Sequence, residues 1–162
     1  MDLILWRHAE AREAAEGEDD LARPLTPRGE KQARRMAEWL NEVLPESTRV
    51  LVSPALRTRQ TAQALERLDR KLRISPDLAP GAGVDALLAA ARWPTRREPV
   101  LLVGHQPALG QTAAYLLAGA AGLEAPSWAI RKGAIWWLRH RERDGGSEVL
   151  LVAVRSATGF GG

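Results

Sequence analysis

The chain contains no cysteine, which removes disulfides and thiolate chemistry and makes a reducing cytoplasm the expected location. No stretch approaches the ~20 apolar residues of a membrane helix, so no membrane partner is expected. The start, MDLILWRH, lacks a basic n-region, and its apolar run is too short for a signal peptide. Basic blocks are missing as well. The net charge is +3 and the pI is near 9.9, but the basic residues alternate with acids, as in REAAEGEDDLARP and RHRERDGG. That pattern argues against a nucleic-acid partner. Most of the basic residues are Arg, so an Arg here carries information only through its position and neighbours.

What is present is an ordinary globular composition. The 162 residues are 45% apolar and 27% charged, enough for one domain with a sizeable core. Residues 1–162 show no internal repeat and are expected to form a single domain, with 156–162 as a frayed tail.

Strands and helices alternate along the chain. Leu3 to Trp6 is a short apolar run suited to a strand buried on both faces. After a polar, acidic crossing, LTPRGEKQARRMAEWLNEVL reads as a helix. Thr26 is its N-cap, Pro27 its first residue, and Ala33, Met36, Ala37, Leu40 and Leu44 fall at helical spacing. RVLVS is a second strand, with Ser53 placed to cap a helix that starts at Pro54. A short strand follows at Leu72 to Ile74, then a loop and a helix from Val84. PVLLVG is a third clear strand, and a helix begins at Pro107. GAIWWLRH and EVLLVAV read as two late strands around the turn ERDGGS. The expected fold class is α/β: a three-layer α/β/α sandwich with a mostly parallel sheet.

Three strand ends carry polar groups: LILW before Arg7 and His8, VLVS before Arg57, and VLLVG before His105. Ligands of open α/β sheets bind beyond the carboxyl ends of the strands. Arg7, His8, Arg57 and His105 can therefore share one pocket, and the helices that follow two of these strands point their N-termini at it. Paired Arg donors match phosphate oxygens. Arg charges nearby disfavour imidazolium, and a neutral imidazole facing a held phosphorus is a nucleophile. His8 is the expected nucleophile and Arg7 holds the phosphoryl group. Arg57 and His105 stabilise the equatorial oxygens. Two features are set aside. GAGVDA, at Gly81 to Ala86, fits the dinucleotide fingerprint but follows no strand. A two-His metal site would have Arg7 beside it. Neither metal nor cofactor is expected.

The motifs RHAEA, LTPRG, SPALRTRQTA and VGHQPALG, in this order, resemble the histidine phosphatase superfamily, specifically its short SixA-type phosphohistidine phosphatases. The match runs from Leu3 to about Leu117. Ala9 stands where the family's Arg-His-Gly motif has Gly, and Gln106 where its Gly-His-Asn-Pro motif has Asn. The resemblance implies a phosphoglycerate mutase-like fold and a cofactor-independent phosphatase acting through phospho-His8. It also implies catalytic and phosphate-binding roles for Arg7, His8, Arg57 and His105.

Expelling an alkoxide needs a proton donor, which larger relatives carry in an insertion after the second Arg. Here that region, Leu72 to Trp93, is short, and its only acids are Asp77 and Asp85. Asp85 and Glu10 are the candidate auxiliary acids, with Glu10 equally suited to a surface salt bridge. The P–N bond of phosphohistidine needs less help, and a short loop leaves room for a protein. Both points favour a phosphohistidine-bearing protein, for example a phosphotransfer domain, and so a place in signal transduction. A small phosphoester is the alternative substrate, and a phosphoprotein-binding module is the non-enzyme alternative. His140 is expected to be exposed at a strand end or turn, and Trp136 and Trp137 to face opposite sides of a strand. The segment 118–127 is either a pocket rim or a plain connection. The sequence does not fix the oligomeric state.

Overall fold

Six strands form one sheet at the centre of the protein, seen here in a computed structural model that describes residues 1–157. The chain runs β1 (Asp2–Arg7), α1 (Pro27–Val43), β2 (Arg49–Val52), α2 (Leu56–Glu66), β3 (Leu72–Ile74) and α3 (Val84–Ala91). It continues through β4 (Val100–Gly104), α4 (Ala108–Ala118), α5 (Ala120–Glu124), β5 (Ile135–Arg143) and β6 (Gly146–Arg155). The strand order is β3-β2-β4-β1-β5-β6. β3, β2, β4 and β1 pair in parallel, and β5 is antiparallel to both β1 and β6.

Alternation along the strands builds the two sides of the core. Ile4, Trp6, Leu101 and Val103 pack with Met36 and Leu40 of α1 and Ala62 and Leu65 of α2. Leu3, Leu5 and Leu102 pack on the other face with Leu87 of α3 and Leu109 and Ala113 of α4. The three layers expected from the sequence are thus present. Trp136 and Trp137 fall in these two opposite clusters, as adjacent strand residues must.

Two motifs dock against each other to start α1. Thr26 Oγ1 accepts from Gly29 N at 3.0 Å and donates to Glu10 Oε1 at 2.8 Å. Thr26 N donates to Glu10 O at 3.0 Å. A Cβ on Gly29 would lie 2.0 Å from that same Glu10 oxygen, so the LTPRG element needs glycine because the backbone behind His8 passes directly over it.

Several expectations need correction. α2 begins at Leu56 rather than Pro54, with extended Ala55 at its N-cap position; the Ser53 hydroxyl accepts from Ala55 N at 3.4 Å and is bound more closely by His105 at 2.7 Å. The late hairpin turns tightly at Asp144 and Gly145, both at positive φ, so β5 and β6 extend through most of the expected turn. His140 is half-buried within β5, its ring edge-on to Trp93 at 5.7 Å. The expected fraying does not begin at residue 156: Ala157 is buried and its carbonyl accepts from Arg35 Nη1 at 3.2 Å. The remainder of that tail, 158–162, lies outside the described residues. Among the described residues, no helix is long and apolar enough to cross a membrane.

Candidate active site

Parallel pairing sets Arg7 of β1 beside Gly104 of β4, so the residues that leave these strands, His8 and His105, emerge as neighbours. Their rings lie 5.4 Å apart, tilted by 52°. β2 pairs on the other side of β4. The chain leaving it turns at Ser53 and places Arg57 in the first turn of α2, with Nη2 3.3 Å from His105 Nδ1. The structure therefore brings Arg7, His8, Arg57 and His105 together at the carboxyl edge of the sheet.

The segment before β5 seals this edge. Arg7 N donates to Ala134 O at 3.1 Å, and Gly133 N donates to His8 O at 2.9 Å. Arg7 Nη1 donates to Ile130 O at 2.7 Å. Ala9 is fully buried and its N–H donates to Thr61 Oγ1 at 3.0 Å. The 127–128 segment backs the other histidine turn: Gln106 Nε2 donates to Trp128 O at 2.7 Å and Ser127 Oγ to Pro107 O at 2.9 Å. The segment 118–127 thus forms α5 and then supports the His105 turn from behind.

The hydrogen bonds define the tautomers. Ala9 O can only accept, so His8 Nδ1, at 2.7 Å, carries the proton and Nε2 keeps its lone pair. Arg57 can only donate, so His105 Nδ1 accepts from it and Nε2–H donates to Ser53 Oγ at 2.7 Å. Burial, followed by the Arg57 and Arg7 charges, pushes His8 down to about 4 against the bond to Ala9, which acts the other way. Burial and Arg57 push His105 down to about 3. Both imidazoles are neutral at pH 7. Among the described residues, Arg7 Nε and Arg57 Nε are buried without a hydrogen-bond partner. Two orphan guanidinium donors beside two neutral imidazoles suit an anion with several oxygens.

The expected auxiliary acids lie elsewhere. Glu10 spends its carboxylate on Thr26 and on Arg28, 3.8 Å away. Asp85 is exposed in the first turn of α3. Two residues that the sequence reading missed touch the constellation. Ser53, fully buried, holds His105. Asp20 binds Arg57 through its carbonyl at 2.7 Å and through Oδ2 at 3.0 Å. Ser53 sits at a strand end, which was a signal within reach. Asp20 lies in an acidic stretch where nothing distinguishes it from its neighbours. Among the described residues, no cluster of three or more His, Asp or Glu side chains could hold a metal ion.

Two neutral imidazoles and two buried guanidinium donors at the carboxyl edge of an α/β sheet make a site suited to a phosphoryl group. The family model of the histidine phosphatase superfamily (branch 1) matches residues 3–80. Phosphohistidine phosphatase SixA of Escherichia coli (strain K12) is 34% identical over 124 residues, 74% of this chain and 76% of that protein. An uncharacterized protein of Picosynechococcus sp. is 36% identical over 126 residues, 75% of this chain and 76% of that one. A solved structure of the protein histidine phosphatase SixA complexed with tungstate is 29% identical, with a TM-score of 0.74 and 97% of each chain covered. The chain belongs to the histidine phosphatase superfamily, and within it to the SixA-type branch.

Proposed function

We propose that the protein is a phosphatase that removes the phosphoryl group from phosphohistidine on a protein, through a covalent intermediate on His8. The observation that carries this reading is the commitment of His8 Nδ1–H to the Ala9 carbonyl, which leaves the Nε2 lone pair for phosphorus. Arg7 and Arg57 supply donors to the equatorial oxygens, and each charge-assisted bond is worth about 1.5–3 kcal/mol. Nε2 of His8 forms a bond to phosphorus as the P–N bond to the substrate imidazole breaks, and the departing ring nitrogen takes a proton from solvent water so that the imidazole leaves neutral. Water then attacks phospho-His8, releasing inorganic phosphate and restoring the neutral ring. A dianion among these groups favours protonation of His105, which can then donate through Nδ1 to the phosphoryl oxygens.

A protein substrate is supported by the similarity to SixA and by the short connection from β3 to α3, residues 75–83. A phosphotransfer protein in a cytoplasmic signalling pathway completes the reading. The test is phosphate release from a purified phosphohistidine-bearing phosphotransfer domain, without added metal, with an aryl phosphate alongside. The wild type is expected to release phosphate faster from the phosphohistidine, and His8→Ala to lose at least about a thousandfold in rate. Normal turnover by His8→Ala would refute the intermediate. Faster release from the aryl phosphate would transfer the assignment to a small phosphoester.

A further inference from the structure

We propose that Asp20 is the positioning residue for Arg57: it grips the Nη1–Nη2 edge of the guanidinium and so turns the Nε–Nη2 edge toward the phosphoryl group. The inference rests on the reading of Arg57 as a phosphoryl clamp.

A guanidinium is a planar fork with two edges on which an oxyanion can bind bidentately. On Arg57 one edge is taken by a single residue. Nη1 donates to Asp20 O at 2.7 Å and Nη2 to Asp20 Oδ2 at 3.0 Å. The other edge is built from Nε and the second Nη2 hydrogen. Nη2 lies 3.3 Å from His105 Nδ1 on this side, and Nε is buried with no partner among the described residues. An oxyanion arriving beside the two histidines meets this edge. The arrangement has an inside and an outside: the Arg57 side chain is 4% exposed and the Asp20 side chain 53%. The carboxylate stands at the rim and reaches inward.

Asp20 is itself held. It opens a short 3-10 turn, Asp20–Ala22, capped by Asp19, whose Oδ1 accepts from Leu21 N at 3.0 Å. Its second carboxylate oxygen accepts from Arg23 Nε at 2.9 Å, and Arg23 Nη1 donates to Arg12 O at 2.9 Å. The connection between β1 and α1 is thereby wired to the cradle, through backbone geometry on one oxygen of Asp20 and through charge on the other. Without the carboxylate, Arg57 keeps its contacts to the Asp20 carbonyl and to His105 but loses the ion pair that fixes the angle of its fork.

A carboxylate on a phosphate-binding arginine could instead act as an internal competitor that the substrate must displace. The two roles predict opposite signs. The experiment compares wild type with Asp20→Ala, Asp20→Asn, Arg23→Ala, Arg57→Ala and the Asp20→Ala/Arg57→Ala pair. It measures kcat, KM, the inhibition constant for inorganic phosphate and Tm. Positioning predicts that Asp20→Ala lowers kcat and weakens phosphate by about ten- to a hundredfold, the loss of one charge-assisted bond. Asp20→Asn, which keeps an acceptor, should fall between wild type and Asp20→Ala. Arg23→Ala should stay within about threefold of wild type, and the pair should match Arg57→Ala alone, since Asp20 acts through Arg57. Tighter or unchanged phosphate in Asp20→Ala overturns the proposal. So does an Arg23→Ala loss equal to that of Asp20→Ala, which would mean that Asp20 merely anchors its loop. His8→Ala runs in the same series. If it turned over normally, the His8 mechanism would fail, while the phosphate ratio between Asp20→Ala and wild type would still decide Asp20.

Discussion

At the scale of single residues, the two histidines are the most informative groups. An imidazole ordinarily titrates near 6.5, yet burial and the neighbouring arginine charges bring His8 to about 4 and His105 to about 3. The free enzyme therefore keeps His8 unprotonated well below neutrality. The acid limb of kcat/KM, which reports the free enzyme, is expected nearer pH 4 than 6.5. An acid limb centred at 6.5 would mean that His8 titrates like an exposed imidazole. Ser53→Ala removes the acceptor of His105 Nε2 and leaves that ring free to turn. A buried neutral hydrogen bond of about 0.5–1.5 kcal/mol corresponds to a loss of up to about tenfold in kcat, measurable with little change in KM. Of these residue-scale facts, Arg7, His8, Arg57 and His105 were legible because each sits beside a strand end in a recognisable motif. Ser53 was read as a helix cap, and Asp20 was not singled out at all. Their roles are contacts across long sequence separations, to His105 and to Arg57, and no local pattern encodes such contacts.

At the scale of elements, the site depends on where β1, β2 and β4 stop and on what holds the chain just beyond them. Strand register aligns Arg7 with Gly104, and the loop after His8 is pinned to the start of α1. That pinning gives Gly29 a sharp test. Gly29→Ala drives a methyl into the Glu10 carbonyl, 2.0 Å from the ideal Cβ, and the backbone has to move. The expected cost is about 3 kcal/mol, at the upper end for overpacking, read by chemical denaturation, with turnover falling as the 10–26 connection shifts. Stability within 0.5 kcal/mol of wild type would refute the close approach. Element positions were largely legible from hydrophobic alternation, helical spacing and the Thr26–Pro27 cap. The misplacements have identifiable causes. α2 starts late because the backbone stays extended through Ala55, at φ −61° and ψ 143°, which takes the N-cap position. The hairpin is long because Asp144 and Gly145 turn in two residues. His140 is half-buried because Trp93 comes to meet its ring.

At the scale of the molecule, the fold holds two neutral histidines and two arginines in one buried corner, and that has a thermodynamic signature. An unfolded histidine takes up protons near pH 6.5, while His8 and His105 do so only near 4 and 3. Between those limits the unfolded chain binds more protons, so stability rises with pH and is lost as pH falls below 6.5. The expected slope is up to about 1.4 kcal/mol per pH unit for each histidine. Denaturation between pH 6.5 and 4.5 measures it, above the range in which the lowered Asp2 and Asp20 carboxyls add their own loss. His105→Asn should roughly halve the slope; an unchanged slope would contradict the buried neutral state. An oxyanion bound in the same corner should raise Tm with increasing concentration, for His8→Ala as for wild type, and much less for Arg57→Ala.

The sequence by itself determined the alternation of strands and helices, the three-layer class and the four residues, Arg7, His8, Arg57 and His105, that meet at the carboxyl edge of the sheet. These follow from local periodicity, from capping residues and from the chemistry of strand ends. Only the tertiary structure decided which tautomer His8 adopts, that Arg57 Nε is left without a partner, and that Glu10 serves the α1 cap while Asp20 binds Arg57. Each of these depends on hydrogen-bond partners that packing brings or withholds. In the last case, the Arg57–Asp20 pair joins residues 37 positions apart, where α2 docks against the β1–α1 connection.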